Sequence, residues 1–333
     1  MRCMTTIAVL AVVISGLLFP VQSALAEGDC SIFVVMSYHE DFPWSQEVKQ
    51  GLDAGLAGRC SAEYFYLDTK LHPENGEALA QEALSRYQEL APDLVIAADD
   101  NAQSMFVVPY LKDNADTPVV FCGVNAEPEA YGYPASNVTG VLERFLVCRS
   151  LELLKEIAPE VEKVAFLMRG GLTTTDLLYN QIKADIGGCD FAAVGYAEPE
   201  TLAEAVAQAQ AFAETSDALF LEHVEGLPDA NGNALSTSDA VAAILAAYGA
   251  KPSTGGSDFT VRDGVLCSVV DSGKEQGSLA AEMALQILDG AAVADLPIIR
   301  NHTGRVVVNA ATLEELVLSL PESVGEEAVL VGQ

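Results

Sequence analysis

Basic residues and histidines are scarce in this sequence. Its 333 residues contain 17 Lys and Arg against 48 Asp and Glu, and only four His, for a formal net charge of −31. A polyanion of this charge is repelled by nucleic acid and by anionic lipid. The composition therefore argues against both as partners, although it places no constraint on the fold.

Motifs of catalysis and metal binding are also missing. The sequence has no G-x-S-x-G elbow, no phosphate-binding P-loop and no C-x-x-C pair. A metal-dependent enzyme that used His39 and His223 with Glu40, Asp41 and Glu222 is conceivable, but no ligand spacing supports it. We therefore expect no catalytic residues, no metal and no cofactor.

Long hydrophobic runs are absent after the N-terminus. Arg2, an apolar stretch over residues 7–18 and the triplet Ala24-Leu25-Ala26 predict a secretory signal peptide, residues 1–26. The alternative is a membrane anchor, but a spanning helix needs about 20 apolar residues. A lipid anchor would need a Cys directly after the cleavage site. We expect a soluble periplasmic protein with no stable membrane insertion after signal cleavage.

Six cysteines remain after the predicted cleavage, and an oxidising compartment permits disulfides among them. Cys30 and Cys60 each precede a predicted strand, with one helix between them. Because the starts of neighbouring parallel strands lie close together in a βαβ unit, we predict a Cys30–Cys60 disulfide. Cys122 and Cys267 lie in apolar runs where buried free thiols are at least as well supported. The sequence does not decide the pairing of Cys122, Cys148, Cys189 and Cys267.

Short apolar runs alternate with helix-length amphipathic segments. Strands are predicted over residues 32–36, 64–67, 94–97, 118–122, 163–168, 191–196, 218–221 and 265–270, and helices over 45–57, 74–90, 175–186, 199–215 and 236–248. Strands that are apolar throughout indicate burial on both faces, and strand–helix order indicates parallel sheets. The pattern predicts an α/β protein of two Rossmann-like lobes. We assign residues 30–140 and about 271–291 to the N-terminal lobe, and 141–270 and about 292–333 to the C-terminal lobe.

Polar and aromatic residues follow the first predicted strand, at the position where open α/β sheets bind ligands. Ser37, Tyr38, His39 and Trp44 fall in one loop that leads into a helix. The two aromatic side chains suit a small ligand with a ring or an apolar part. The alternative is a structural role in which Trp44 packs the loop against the helix.

Two further sets follow strands of the same lobe. Asp99, Asp100 and Asn101 come after the strand at 94–97. Such carboxylates cap a helix or receive a ligand ammonium, and capping is the default for at least one of them. Asn125 follows the strand that ends at Cys122, where an amide side chain suits hydrogen bonding to a ligand.

The second lobe contributes a fourth set. Thr173 and Thr174 belong to a Gly- and Thr-rich loop, residues 170–175, that opens a helix. Backbone N–H groups and hydroxyls at a helix N-terminus favour an anion, although a simple Thr cap is the alternative. We expect Glu222 to complete the facing surface, residues 253–258 to form part of its rim, and residues 137–143 to form the first crossing between the lobes.

Three segments resemble the ABC-transporter substrate-binding family related to tryptophan- and tyrosine-binding lipoproteins. They are VVMSYHEDFPWSQEVKQGL, then DLVIAADDNA with TPVVFCGVNAEPEAYGYPASNVTGVLE, and finally RVVVNAATLEELVLSLPESV. They are also similar to the periplasmic sensor domains of bacterial signalling proteins. The resemblance covers nearly all of residues 30–325.

The resemblance implies a type I periplasmic-binding-protein, or Venus-flytrap, architecture that closes on a small molecule. It maps ligand contacts onto residues 38–44, Asp100, Asn101, Asn125 and residues 173–175. The implied function is capture of a small organic ligand, with an aromatic amino acid as the candidate, for delivery to an ABC permease. The alternative is a sensory protein that presents its ligand state to a membrane sensor kinase.

Overall fold

The computed structural model describes residues 30–113, 116–326 and 328–332. The predicted signal peptide, residues 1–26, lies outside the described residues. Within the described part, no helix combines the length and the hydrophobicity needed to cross a membrane.

The described residues form an alternating series of strands and helices. The strands are β1 (Cys30–Met36), β2 (Cys60–Tyr66), β3 (Leu94–Ala98), β4 (Val119–Val124), β5 (Val138–Leu142), β6 (Lys163–Met168), β7 (Ala192–Ala197), β8 (Ala218–Glu222), β9 (Ser253–Thr254), β10 (Cys267–Val270), β11 (Ile299–Arg300), β12 (Arg305–Asn309) and β13 (Val329–Val331). The α-helices are α1 (Pro43–Leu56), α2 (Gly76–Leu90), α3 (Asp99–Ala102), α4 (Val147–Ile157), α5 (Thr173–Asp185), α6 (Leu202–Ala213), α7 (Thr237–Tyr248), α8 (Asp258–Arg262), α9 (Gly273–Leu288), α10 (Ala310–Glu315) and α11 (Glu322–Gly325). A π-helical segment, Gln103–Leu111, continues from α3.

The strands form two sheets. The first has the order β11-β5-β4-β3-β1-β2 and the second the order β13-β12-β10-β9-β8-β6-β7. All pairs in the first sheet are parallel. In the second sheet β10 and β12 are antiparallel, and the other pairs are parallel. We call each sheet with its helices a lobe, and the predicted α/β class with two Rossmann-like lobes is confirmed.

Each sheet is covered by helices on both faces, which explains its apolar strands. All five residues of β3 and all six of β4 are buried. Helices α1 and α9 pack on one face of the first sheet, and α2 with the π-helical segment packs on the other. In the second lobe α4 and α5 cover one face, and α6 and α7 cover the other. Burial on both faces is the reason why these strands read as continuous hydrophobic runs.

Helices α1 and α9 pack backbone against backbone, although they are far apart in sequence. Helix α1 begins with Pro43 at its first turn, where the missing N–H is not needed. A Cβ atom on Gly51 would collide with the carbonyl oxygen of Lys274, and one on Gly277 would collide with that of Val48. Glycine at both positions is what allows this close approach. Helix α9 therefore completes the first lobe.

Three short segments connect the lobes: residues 143–146, 271–272 and 301–304. The expected first crossing at 137–143 is wrong, because residues 138–142 pair with β4 as strand β5. The boundary near 292 also differs from the structure, since Ile299 and Arg300 pair with β5 in the first sheet.

The side chain of Asn301 ties two of these crossings together. Its Oδ1 accepts a hydrogen bond from the backbone N–H of Arg144 at 2.8 Å, and its Nδ2 donates to the carbonyl oxygen of Arg144 at 3.0 Å. Glu275 of α9 accepts hydrogen bonds from the backbone N–H groups of His302, Thr303 and Gly304. The third crossing is thereby fixed both to the first crossing and to the first lobe.

Each lobe contains one disulfide. The predicted Cys30–Cys60 bridge is present, and these two residues lie directly opposite each other where β1 and β2 begin. A second bridge, Cys148–Cys189, joins α4 to the segment before β7. The sequence left this pairing open.

Among the described residues, two cysteines are free thiols, and both are buried inside strands. Cys122 lies in β4 and Cys267 in β10, and neither is exposed to solvent. Burial raises the pKa of Cys122 and raises that of Cys267 to about 12. A protonated, enclosed thiol behaves as a small apolar side chain. Buried free thiols are one of the two possibilities that the sequence left open for these cysteines.

Candidate ligand-binding site

A cavity of about 550 Å³ opens between the two lobes at the carboxyl ends of their strands. Most of the residues that line it follow β1 to β5 in the first lobe and β9 and β10 in the second, while Val270 ends β10 and Arg305 begins β12. Its lining residues are Tyr38, Phe42, Pro43, Trp44, Glu47, Lys70, Asp99, Asn125, Glu143, Phe145, Ser257, Asp258, Phe259, Val270, Asp271 and Arg305. Aromatic and charged groups therefore line the same open cleft.

Aromatic side chains form one wall of the cavity. The rings of Tyr38 and Phe42 meet edge to face, with centroids 5.3 Å apart. The ammonium of Lys70 lies 4.8 Å from the centroid of each ring, within range of a cation–π interaction. The indole Nε1 of Trp44 donates to Oδ1 of Asp99 at 2.7 Å, which fixes the orientation of the indole.

Asp99 is buried beneath this wall in an unusual backbone conformation. Its side chain is 2% exposed and its φ angle is +69°, in the left-handed region that few residues other than glycine adopt. Gly123 makes room for it, since a Cβ atom there would lie 2.6 Å from Oδ1 of Asp99. Burial raises the pKa of Asp99 to about 8, although the hydrogen bond from Trp44 acts in the opposite direction. Oδ2 of Asp99 is buried and has no hydrogen-bond partner.

Two more carboxyl groups meet where the chain crosses between the lobes. Glu143, in the first crossing, and Asp271, in the second, are close enough for the ionisation of each carboxyl group to depend on the other. Burial raises the pKa of both, and the charge of Asp271 raises that of Glu143 further. Glu143 also accepts from Nδ2 of Asn125 at 3.0 Å. Burial and the neighbouring carboxyl group therefore both favour the protonated form of Glu143.

The wall from the second lobe is held in place from behind by Glu222. This carboxylate is 0% exposed and accepts hydrogen bonds from the backbone N–H groups of Gly256 and Ser257 at 2.7 and 3.0 Å. It also accepts from the hydroxyls of Ser257 and Thr260 at 2.9 and 3.3 Å. Burial raises its pKa to about 7, and the Gly256 hydrogen bond opposes that rise. Glu222 therefore shapes the loop that presents Ser257, Asp258 and Phe259 to the cavity.

Residues 45–331 match the protein family described as ABC transporter substrate binding protein. The chain belongs to this family. The match extends over both lobes and all three crossings. No curated protein sequence matches the chain.

Several solved structures share this fold at low sequence identity. A ligand-free, open substrate-binding protein with adhesive properties from Clostridium difficile has a TM-score of 0.67 and 18% identity. An ABC domain from Streptococcus pneumonia in complex with L-Trp has a TM-score of 0.51 and 21% identity. A conserved domain protein from Vibrio cholerae has a TM-score of 0.50 and 22% identity. Each alignment covers 91% of this chain and 99% of the other, and together they show the two-lobed fold.

The cavity of this substrate-binding protein brings together four of the predicted site residues: Tyr38, Trp44, Asp99 and Asn125. Others of the first lobe make internal contacts instead. The hydroxyl of Ser37 is buried between Ala98 and Ala102, and the ring of His39 packs on that of Phe42.

Asp100 and Asn101 also hold the loops rather than line the cavity. Asp100 accepts from the backbone N–H groups of Asn125 and Ala126 and from the hydroxyl of Tyr131. Asn101 donates to the hydroxyl of Thr69 at 2.8 Å. Neither side chain caps α3, whose N-terminus has no side-chain capping hydrogen bond, so the capping role considered for the aspartates is not the one that the contacts show.

The predicted anion loop of the second lobe does not line the cavity. Thr174 is exposed elsewhere on the surface, and the side chain of Thr173 lies outside the described part of the structure. The loop follows β6, which is separated from β9 by β8 in the sheet. The second lobe contributes Ser257 and Asp258 to the cavity, and both belong to the stretch 253–258 that was expected to form part of the rim. The order of strands in the sheet decides which loops reach the cavity, and the alternation of strands and helices along the sequence does not reveal that order.

Several cavity residues were missed, although some carried a signal. Asp271 directly follows the predicted strand 265–270, and Glu143 ends the segment taken as a crossing. The rule that ligands bind beyond strand ends would have selected both. Lys70, Phe259 and Arg305 had no comparable signal, because their positions depend on how the lobes meet. Of the residues that the structure describes, no three His, Cys, Asp or Glu side chains are grouped so that they could hold a metal ion.

Proposed function

We propose that this substrate-binding protein captures a small organic ligand in the cavity between its lobes and delivers it to an ABC permease. The cavity of about 550 Å³ at the strand ends carries the proposal. Small-molecule sites typically have volumes of about 300–1,000 Å³ and a mainly apolar lining with a few polar groups. In this proposal the two lobes close on the ligand about the three crossings, and the ligand is released chemically unchanged.

The ligand is proposed to have a flat or ring-bearing body and polar ends, with an amino acid as the candidate. Tyr38, Phe42 and Trp44 offer aromatic surface from the first lobe, and Phe145 and Phe259 offer it from the other side. Aromatic faces of this kind favour ring stacking. The L-Trp found in the Streptococcus pneumonia structure is compatible with this chemistry.

Export to the periplasm is proposed from the signal peptide predicted over residues 1–26. The two disulfides are compatible with it, because such bonds persist in oxidising compartments. The permease partner is inferred from the family to which the chain belongs.

Trp44 is the sole tryptophan of the sequence and gives a direct test of ligand capture. Purified protein would be titrated with each of the twenty L-amino acids while the indole emission is recorded. We expect a saturable emission change with at least one of them, because closure replaces water around the indole. A ligand at about 100 times its Kd should also stabilise the fold by about 2.7 kcal/mol in thermal unfolding.

The Trp44→Phe variant separates a cavity signal from a nonspecific one. Its thermal stabilisation by ligand should remain measurable while the tryptophan emission change disappears. If no amino acid, nucleoside, sugar or small carboxylate stabilises the wild-type protein, the proposed solute capture is wrong.

A further inference from the structure

Three carboxyl groups that line the cavity come from three separate segments, and the charges of Asp99 and Asp271 both act on Glu143. Asp99 follows β3, Glu143 lies in the first crossing and Asp271 lies in the second. We call these three residues the acidic floor. Because two of them belong to crossings, a ligand group bound there contacts the segments about which the lobes are joined.

One oxygen of the acidic floor lacks a partner. Asp99 is 2% exposed, its Oδ1 accepts from Trp44, and its Oδ2 is buried with no hydrogen bond. A buried oxygen without a partner costs free energy, and such oxygens normally accept a hydrogen bond. Asp99 lines the cavity, so the side chain that carries this oxygen borders the space that a ligand would fill.

The positive groups of the cavity interact with other cavity residues, although Nε of Arg305 is buried without a hydrogen-bond partner. The ammonium of Lys70 lies over the rings of Tyr38 and Phe42, and the guanidinium of Arg305 lies 3.7 Å from Asp258. The charge of Lys70 favours the ionised form of Asp99, and that of Arg305 favours the ionised form of Asp271. The pKa of each acid is nevertheless raised, because the effect of burial is larger. The other titratable groups whose charges act on the floor or feel its charge are Asp100, Asp258, Tyr38 and Cys122.

We propose that the acidic floor is a subsite for an organic ammonium group, which takes the place of a proton when the ligand binds. This inference rests on the proposed capture of a solute in the cavity. A protonated carboxyl group of the floor gives its proton to solvent, and the resulting carboxylate pairs with the R–NH3⁺ group of the ligand. The charge of the site is thereby balanced in both states, by a proton when it is empty and by the ammonium when it is filled.

The exchange predicts a pH dependence with a definite sign. The pKa of Asp99 in the empty site is about 8, so below that pH a proton must leave before the ammonium pairs with it. Ligand affinity should therefore rise with pH, by up to about tenfold per pH unit for one displaced proton, and level off above about pH 8. An ordinary surface carboxylate, which is already charged at neutral pH, would give no such rise.

Matched probes test the charge requirement. The probes are the twenty L-amino acids, the amines that correspond to them without the carboxyl group, and the acids that correspond to them without the amino group. We expect thermal stabilisation only by compounds that carry an ammonium group, including at least one amine without a carboxylate. Stabilisation by a deaminated acid, or by calcium chloride but no amine, overturns the subsite and leaves solute capture intact. If no probe of any charge stabilises the protein, both proposals fail.

Substitutions in the acidic floor test whether these residues are the ones that require an ammonium group on the ligand. Asp99→Asn and Glu143→Gln should each lower the affinity for the ammonium probe by roughly tenfold or more, because an ion pair in a buried site is lost. Asp99→Asn should also flatten the rise of affinity with pH, measured by calorimetry at several pH values. Glu82→Gln, at an exposed acid of the same lobe, is the control and should change neither quantity. If Asp99→Asn retains both the wild-type affinity and the wild-type pH dependence, the subsite is refuted.

Discussion

Replacing Glu222 by Gln should remove a large part of the pH dependence of folding stability. The buried carboxyl group has a pKa of about 7 in the folded protein, raised from 4.5. The folded state thus holds this proton more tightly than the unfolded state does. The stability that the group contributes is full below about pH 4.5 and is lost as pH rises to about 7. This difference in pKa corresponds to about 3 kcal/mol.

Glutamine can keep the contacts that hold the second-lobe wall. Its carbonyl oxygen, placed where Oε2 now lies, can accept from the N–H groups of Gly256 and Ser257. Its amide nitrogen, placed where Oε1 lies, can donate to the hydroxyl oxygen of Ser257. The variant should therefore fold, because it loses the titration and retains the hydrogen bonds.

Urea denaturation of the ligand-free protein at about pH 4.5 and about pH 7.5 provides the measurement. We expect the wild-type protein to lose about 3 kcal/mol more than Glu222→Gln between these two conditions. Glu214→Gln, at an exposed position after α6, is the matched control and should follow the wild type. Equal losses in the wild type and in Glu222→Gln would refute the argument that burial of this carboxyl group opposes its ionisation.

Three further changes test other parts of the structure. Gly277→Ala should destabilise the fold by about 1–3 kcal/mol in urea, because its Cβ atom meets the backbone of α1. Gly187→Ala, where a Cβ atom meets nothing within 4 Å, should have little effect. Replacing both Cys148 and Cys189 by Ser should cost about 2–4 kcal/mol of stability and leave ligand affinity unchanged, since neither residue lines the cavity. Trp44→Phe should weaken ligand binding at neutral pH in calorimetry, because loss of the indole donor raises the pKa of Asp99 further. Unchanged affinity would mean that the indole does not prepare Asp99 for the ligand.

Local patterns in the sequence were sufficient to predict the main elements. Each of the eight predicted strands overlaps a strand of the structure, because burial on both faces leaves a continuous apolar run such as that of β3. The strands that were not predicted are short or lie near the crossings, and β9 and β11 have two residues each. Runs of that length carry no periodicity.

The candidate site was predicted better in the first lobe than in the second. Tyr38, Trp44, Asp99 and Asn125 follow strands that are adjacent or nearly adjacent in the first sheet, so the strand-end rule selects them. In the second lobe the same rule selected the loop after β6, whereas the cavity lies beyond β9 and β10. Arg305 is the first residue of β12, which runs antiparallel to β10, and its location depends on a reversal of direction that strand–helix alternation does not predict.

Both disulfides connect residues of the same lobe: Cys30–Cys60 joins two strands of the first sheet, and Cys148–Cys189 lies in the second lobe. Among the described residues, the covalent connection between the lobes is therefore the main chain at three crossings. A reducing agent changes the covalent connectivity within each lobe and leaves the number of links across the cavity the same. Reduction of the disulfides thus breaks bonds within each lobe but none of the links between the lobes. A reductant can therefore lower the stability of each lobe while the lobes stay covalently joined across the ligand cavity.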